Sequence, residues 1–83
     1  MYMKKRLGVI GIIVEKAESA EDVNDILHSY REYIVGRMGI PYRERDMSVI
    51  SVIVDGPNDV ISSMSGKLGM VDGVTSKAVY ATK

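Results

Sequence analysis

Three arginines and a tyrosine lie within positions 37 to 45 of this 83-residue chain. They are Arg37, Tyr42, Arg43 and Arg45. Arginine beside tyrosine can bind a carboxylate or a phosphate through two parallel hydrogen bonds. This stretch is therefore the best candidate for a ligand-binding site, and the ligand would be an anion. Glu44 and Asp46 interleave with the arginines, so the alternative is a mixed-charge hairpin that keeps a sheet edge soluble.

The single histidine, His28, suggests a second kind of chemistry. On a helix it would share one face with Asp25 and Glu32, three residues before it and four after it. These side chains could hold a divalent metal ion together with a symmetry-related copy. The alternative is a solvated helix face with weak pairing, and one imidazole without cysteine makes a poor transition-metal site.

The sequence contains no recognisable catalytic set. Ser65-Gly66-Lys67 resembles the end of a phosphate-binding loop, but Ile61 and Leu68 replace the glycine and the hydroxyl residue of that motif. The absence of cysteine excludes a thiol nucleophile, a disulfide scaffold and cysteinyl metal sites. We therefore expect a protein that is not an enzyme, and the residues indicate no particular cofactor.

Two segments predict strands that are apolar on both faces. In Leu7–Val14 and in Met47–Val54, large aliphatic side chains fall on both sides of the strand. Such strands need cover on both faces, and the chain has helices for only one. We expect the helix-free face to be buried against further copies of the chain, in a dimer or a tetramer. The alternative is that these side chains are only half exposed and are tolerated in a monomer.

The segments between these strands predict a helix and an edge strand. Ser19 is a suitable N-cap for a helix that carries an apolar stripe and ends by Glu32. Tyr33–Ile40 predicts a strand that is closed by Pro41, and proline favours a sheet edge. The polar segment Tyr42–Asp46 then predicts the hairpin connection.

The remainder predicts a second helix and a last strand. Pro57 suits the first turn of a helix whose inner stripe is Val60, Ile61, Met64 and Leu68, and Gly69 suits its end. Asp72-Gly73 predicts a turn before the strand Val74–Ala81. The order is β-α-β-β-α-β, which is the order of a ferredoxin-like fold with sheet order 4-1-3-2. That sheet order places both doubly apolar strands in its centre.

The composition of the chain limits the kinds of binding partner and the cellular location that we expect. Eleven basic and eleven acidic residues give no net charge, so the basic excess typical of a nucleic-acid binder is missing. No segment approaches the roughly 20 apolar residues of a membrane span. Lys4-Lys5-Arg6 before the first strand only faintly resembles a secretory signal, because Glu15-Lys16 follows a short apolar run. We expect a single cytoplasmic domain over residues 1–83, with no direct nucleic-acid binding and no membrane contact.

Several stretches of the chain resemble the iron-only hydrogenase system regulators, which are small proteins with an ACT-like, ferredoxin-like fold. These stretches are Lys4–Glu15, Val35–Arg45, Val49–Gly56 and Gly66–Val74, of which Val35–Arg45 (V-G-R-M-G-I-P-Y-R-E-R) is the most specific. The resemblance covers nearly the whole chain. It implies an α+β sandwich with two helices on one face of a four-stranded antiparallel sheet, and a regulatory or sensory role linked to iron-only hydrogenase or its maturation.

The resemblance also limits the classes of ligand that we expect this chain to bind. The ligand-binding domain of nickel-responsive regulators is related in fold, but this chain lacks the His/Cys set that holds nickel there and has no DNA-binding ribbon–helix–helix segment. Amino-acid-binding ACT domains typically have a glycine-containing turn after the first strand, where this chain has Glu15-Lys16-Ala17-Glu18. We predict a regulatory module that binds a small ligand or a partner protein at a homo-oligomer interface. The alternative is a metal-sensing module that uses His28 across that interface.

Overall fold

The computed structural model describes residues 5–82, which form four strands and two α-helices. The strands are β1 (Lys5–Val14), β2 (Ile34–Tyr42), β3 (Met47–Pro57) and β4 (Val74–Tyr80). The helices are α1 (Ala20–Ser29) and α2 (Asn58–Gly69). Short 3-10 turns lie at Ala17–Ser19, Arg31–Tyr33 and Arg43–Arg45. Lys4, in the basic stretch noted above, lies outside the described residues, and neither described helix is long and apolar enough to cross a membrane.

The sheet has the order β2-β3-β1-β4, and all neighbouring strands are antiparallel. This is the predicted order 4-1-3-2 read from the other edge, so the ferredoxin-like fold is confirmed. The two doubly apolar strands lie side by side in the centre. Their outer side chains face each other in pairs, with Val9 opposite Ile53 and Ile13 opposite Val49.

The hydrophobic core lies between the two helices and one face of the sheet. Ile10 and Ile12 of β1 and Val52 and Val54 of β3 are fully buried there. Residues of both predicted helical stripes point into this core, which gains Val23, Leu27, Ile61, Met64 and Leu68. Val60 of the predicted α2 stripe is only half-buried and lies outside the core. Burial of side chains of this size is the main favourable contribution to folding in a domain so small.

The other face of the sheet carries a largely apolar surface, which we call the open face, and which also includes Asp55, Thr75 and Lys77. It comprises nine large side chains that are 41–68% exposed: Leu7, Val9, Ile13, Met38, Ile40, Tyr42, Val49, Ile53 and Val79. Those on the two central strands are 41–51% exposed, so neighbours in the sheet cover about half of each. No described element of the chain packs over this face, in agreement with the prediction of a sheet covered on one side only.

Several element ends differ from prediction where contacts distant in sequence decide the outcome. Ser19 does not cap α1 with its side chain, because its Oγ donates to the carbonyl oxygen of Asp72 at 2.6 Å. The helix ends at Ser29, so Glu32 lies in the next 3-10 turn rather than on α1. Pro41 lies within β2 instead of closing it, since an edge strand tolerates proline.

The second half of the chain follows the prediction more closely. Strand β3 continues past Val54 to Pro57, which keeps an extended backbone and occupies the N-cap position of α2 rather than its first turn. Helix α2 ends at Gly69, as predicted. The predicted turn at Asp72-Gly73 is present, and Gly73 has the left-handed φ of +75° that favours glycine.

We expect Gly73→Ala to lower the free energy of unfolding by about 1–2 kcal/mol, because a left-handed backbone is unfavourable for alanine. An added Cβ would also lie 2.7 Å from Cγ of Lys16. Urea denaturation would measure the change. The matched control is Gly66→Ala on α2, where an added Cβ meets open space and alanine favours a helix by roughly 0.5–1 kcal/mol. Equal destabilisation by the two substitutions would contradict this explanation.

Candidate functional site

A shallow cleft lies on the helix side of the β2–β3 hairpin, beside the N-terminal end of α1. It consists of two adjoining depressions of about 110 Å³ and 160 Å³. Both depressions are lined by Val14, Ala20, Pro41 and Ser48. We call this feature the hairpin cleft. Its lining between the two ends is small and largely apolar, so its polar chemistry comes from the residues at the ends.

Arg37 lies at the end of the cleft next to α1. It pairs with Val52 of β3, whose side chain is buried beneath the helices, so alternation directs Arg37 to the helix side of the sheet. Its Nη2 donates to Oδ1 of Asn24 at 2.7 Å. This bond ties the edge strand to α1 and leaves most of the five guanidinium donors available to a ligand.

Arg43 lies at the opposite end of the cleft, in the 3-10 turn Arg43–Arg45. The turn is closed by the backbone N–H of Asp46, which donates to the carbonyl oxygen of Arg43 at 3.2 Å. Asp46 itself has a φ of +54°, a conformation that aspartate tolerates better than most residues. Tyr42 and Asp46 also border this end.

The structure thus brings three of the four predicted anion-binding residues to one cleft. Arg37, Tyr42 and Arg43 border it, although strand alternation places the side chain of Tyr42 on the open face. Arg45 lies in the turn outside both depressions. Within residues 5–82 the one ion pair joins Lys16 to Asp72. The acidic residues of the hairpin, Glu44 and Asp46, therefore do not neutralise its arginines through ion pairs in the described chain.

The wall of the cleft near α1 is fixed by contacts with the turn between α2 and β4. The backbone N–H of Glu15 donates to the carbonyl oxygen of Gly73 at 2.7 Å. Lys16 Nζ and Asp72 Oδ2 form an ion pair at 2.6 Å. Together with the bond from Ser19 to Asp72, these contacts hold the segment that carries Ala17 and Ala20. No sequence pattern predicts this set of contacts, which we call the clamp, because its partners lie more than fifty positions apart.

The predicted metal ligands are not grouped within one copy of the chain. His28 lies in the last turn of α1, Asp25 lies one turn before it, and Glu32 follows in the 3-10 turn. In residues 5–82, no three histidine or carboxylate side chains come together as metal ligands. A site completed by a second copy stays a prediction.

The fold and the cleft define a small ferredoxin-like domain whose candidate site is a cleft bordered by arginines, and comparison with known proteins identifies its family. The chain belongs to the TM1266-like family, whose model, described as "Iron-only hydrogenase system regulator, putative", matches residues 6–78. This confirms the resemblance noted in the sequence. The uncharacterized protein TM1266 from Thermotoga maritima is 36% identical and superposes with a TM-score of 0.91, over 95% of this chain and 100% of that one. No curated protein matches the chain.

More distant structures share the fold alone. A formyltetrahydrofolate deformylase from Pseudomonas putida KT2440 has a TM-score of 0.67 at 13% identity, over 93% of this chain and 30% of that one. CPII, a nitrogen regulatory PII-like protein from Thiomonas intermedia K12, has a TM-score of 0.51 at 17% identity, over 96% of both chains. That structure holds ADP, AMP and bicarbonate.

The clamp between Lys16 and Asp72 should make stability depend on pH. The hydrogen bond and the charge of Lys16 lower the pKa of Asp72, and the same contact raises the pKa of Lys16. The contribution of Asp72 is therefore complete above its unfolded pKa and is lost as pH falls through its folded pKa. The contribution of Lys16 is lost as pH rises through its own folded pKa.

We expect Asp72→Asn to reduce the loss of stability on acidification, measured as the shift in urea midpoint between about pH 7 and about pH 3. Asp55→Asn is the control, since Asp55 forms no ion pair within residues 5–82. An acid-induced shift in Asp72→Asn as large as that of the unmodified protein would show that the ion pair does not contribute.

Proposed function

We propose that this protein is a small, non-enzymatic regulatory protein of the iron-only hydrogenase system that binds a small anionic ligand in the hairpin cleft and forms a homo-oligomer, with the β2–β3 hairpin contributing to both surfaces. Membership of the family supports the regulatory context. The observation that carries ligand binding is the placement of Arg37 and Arg43 at the two ends of one cleft, without carboxylate partners in the described chain. A guanidinium group beside a small apolar lining, at either end of the cleft, favours an anion with a compact uncharged part.

The β2–β3 hairpin supports the link between ligand binding and self-association, because it contributes to both surfaces. Alternation along β2 directs Arg37 towards the cleft, while Met38 and Ile40 belong to the open face. A ligand that holds the arginines would therefore change the position or the stiffness of side chains that an oligomer contact uses. Such a ligand would shift assembly by the difference in its affinity for the two states.

The size of the cleft bounds the ligand. Each depression accommodates a group as small as a phosphate or a carboxylate with a few attached atoms. The PII-like protein from Thiomonas intermedia, which shares the fold, was found with ADP, AMP and bicarbonate. These three compounds, with inorganic phosphate, form a rational first panel for this chain.

We expect at least one anion of this panel to bind in isothermal titration calorimetry, and Arg37→Ala and Arg43→Ala each to weaken its binding by roughly 10- to 100-fold. Loss of one charge-assisted hydrogen bond has about this effect on affinity. The matched control is Arg31→Ala, an exposed arginine outside the cleft whose Nη1 donates to the carbonyl oxygen of His28. Unchanged affinity in both cleft variants would refute this site, and binding of a partner protein would remain to be tested with the same variants.

Native mass spectrometry of protein purified without chelators tests the oligomer and the second candidate function together. We expect an even-numbered oligomer, and a monomer at every concentration would contradict the proposal. The second candidate is a metal-sensing module, which predicts a stoichiometric metal ion that is lost in His28→Ala and retained in Asn24→Ala on the same helix. Oligomers of metal-free mass would argue against this candidate and leave the anion site intact.

A further inference from the structure

Gly11 occupies the middle of a central strand, and the described chain gives no local reason for a glycine there. Its φ is not left-handed, and its pairing with Ser51 and with Lys77 continues in register on both sides. An added Cβ would approach only the carbonyl oxygen of Lys77, at 4.0 Å, which is an ordinary contact. Gly8 differs, because a Cβ there would lie 2.9 Å from the carbonyl oxygen of Val79.

A glycine in this position is unfavourable within a single chain. It costs backbone entropy and places no side chain against its neighbours, so strand interiors normally avoid it. Where such a glycine has neither a bulge nor an internal contact to explain it, close approach of another backbone or a ligand is the remaining physical reason. Gly11 belongs to the open face, so the approaching group would come from outside the chain.

The position of Gly11 on the open face indicates what approaches it. Gly11 and Ser51 form the small central pair of the face, flanked on one side by Val9 and Ile53. Ile13 and Val49 flank them on the other side. In the same row, Met38 lies beside Ser51 and Lys77 lies beside Gly11 on the two edge strands. The face is thus lowest at its centre, between two aliphatic ridges.

The area of the open face fits a complete interface. Its nine large side chains, at 41–68% exposure, present on the order of 800 Å² of surface, the amount that one partner contributes to a stable protein–protein interface. An apolar depression of about 390 Å³, lined by Leu7, Val9, Ile53 and Val79 among others, extends this surface towards one end of the sheet. A contact of this area has the standard size of a stable interface, and its largely apolar character is typical of homodimer interfaces.

We propose that the open face packs against the open face of a second copy of this chain, with Gly11 and Ser51 at the point of closest approach. This inference rests on the self-association in the proposed function and specifies the surface and the residues that form it. In a twofold contact, the centre of the surface meets its own counterpart. Small residues at that centre let the two sheets approach each other.

The first test is the dissociation constant of self-association, measured by analytical ultracentrifugation. We expect Gly11→Val to weaken self-association by at least roughly tenfold, because the added side chains would overfill the centre of the contact. Gly36→Val is the matched control: Gly36 pairs with Ile53 on the edge strand β2, next to the register shift between Ile34 and Gly36, and an added Cβ there meets nothing within 4 Å. We expect this variant to change the dissociation constant by less than about threefold, as substitutions at an interface rim do.

The second test does not depend on the folding of a valine variant. The chain contains no cysteine, so Ser51→Cys introduces a single thiol at the centre of the open face. A disulfide needs Cα atoms within about 7 Å, closer than the ~10 Å that separates ordinary packed sheets. We expect Ser51→Cys to form a disulfide-linked dimer under mild oxidation, and Met70→Cys, at an 86% exposed position outside the sheet, to stay monomeric in a denaturing gel.

The outcomes separate this inference from the proposed function. If the unmodified protein is monomeric at every concentration, the proposed self-association fails and the inference fails with it. If the unmodified protein assembles, while Gly11→Val leaves the dissociation constant unchanged and Ser51→Cys does not cross-link, the contact lies elsewhere. In that case this inference is wrong and the proposed function stands. If Gly11→Val does not fold, the cross-linking of Ser51→Cys alone tests this inference.

Discussion

The pairing of β1 with β3 is the constraint on which the rest of the structure depends. Each strand carries large aliphatic side chains on both faces, so the pair is stable only in the centre of a sheet. That position fixes the sheet order and sends β2 and β4 to the edges. Ile10 and Val52 then form the floor of the core beneath the helices, while Val9 and Ile53 face outward because no third layer exists in the described chain.

Much of this architecture could be predicted from the sequence because alternation and helical stripes are local patterns. The period of two in β1 and β3, and the stripe that includes Val23 and Leu27, need only neighbouring residues to be recognised. Contacts between distant segments left no such pattern. Ser19 is a typical N-cap residue, yet its hydroxyl donates to the backbone carbonyl oxygen of Asp72, 53 positions along the chain. Local rules therefore predict which elements form, whereas long-range polar contacts decide how they end.

The distinction between local sequence patterns and long-range contacts also applies to the candidate site. The spacing of arginine and tyrosine indicated an anion site, but it could not separate Arg43, which borders the hairpin cleft, from Arg45, which does not. That difference depends on a single 3-10 turn and on the left-handed backbone of Asp46. The bond between Arg37 and Asn24 depends on how α1 lies across the edge strand, which no residue pattern specifies.

The hairpin is also the part of the sheet where a ligand can have the largest effect. Strand β2 contains no fully buried residue and is held by its ladder with β3 and by the bond from Arg37 to Asn24. Elements with so little burial open more readily than the core. A guanidinium has five donors, so Arg37 can keep its bond to Asn24 while it binds an anion in the cleft. Such an anion would join the edge strand to α1, and would stiffen the edge of the open face rather than release it.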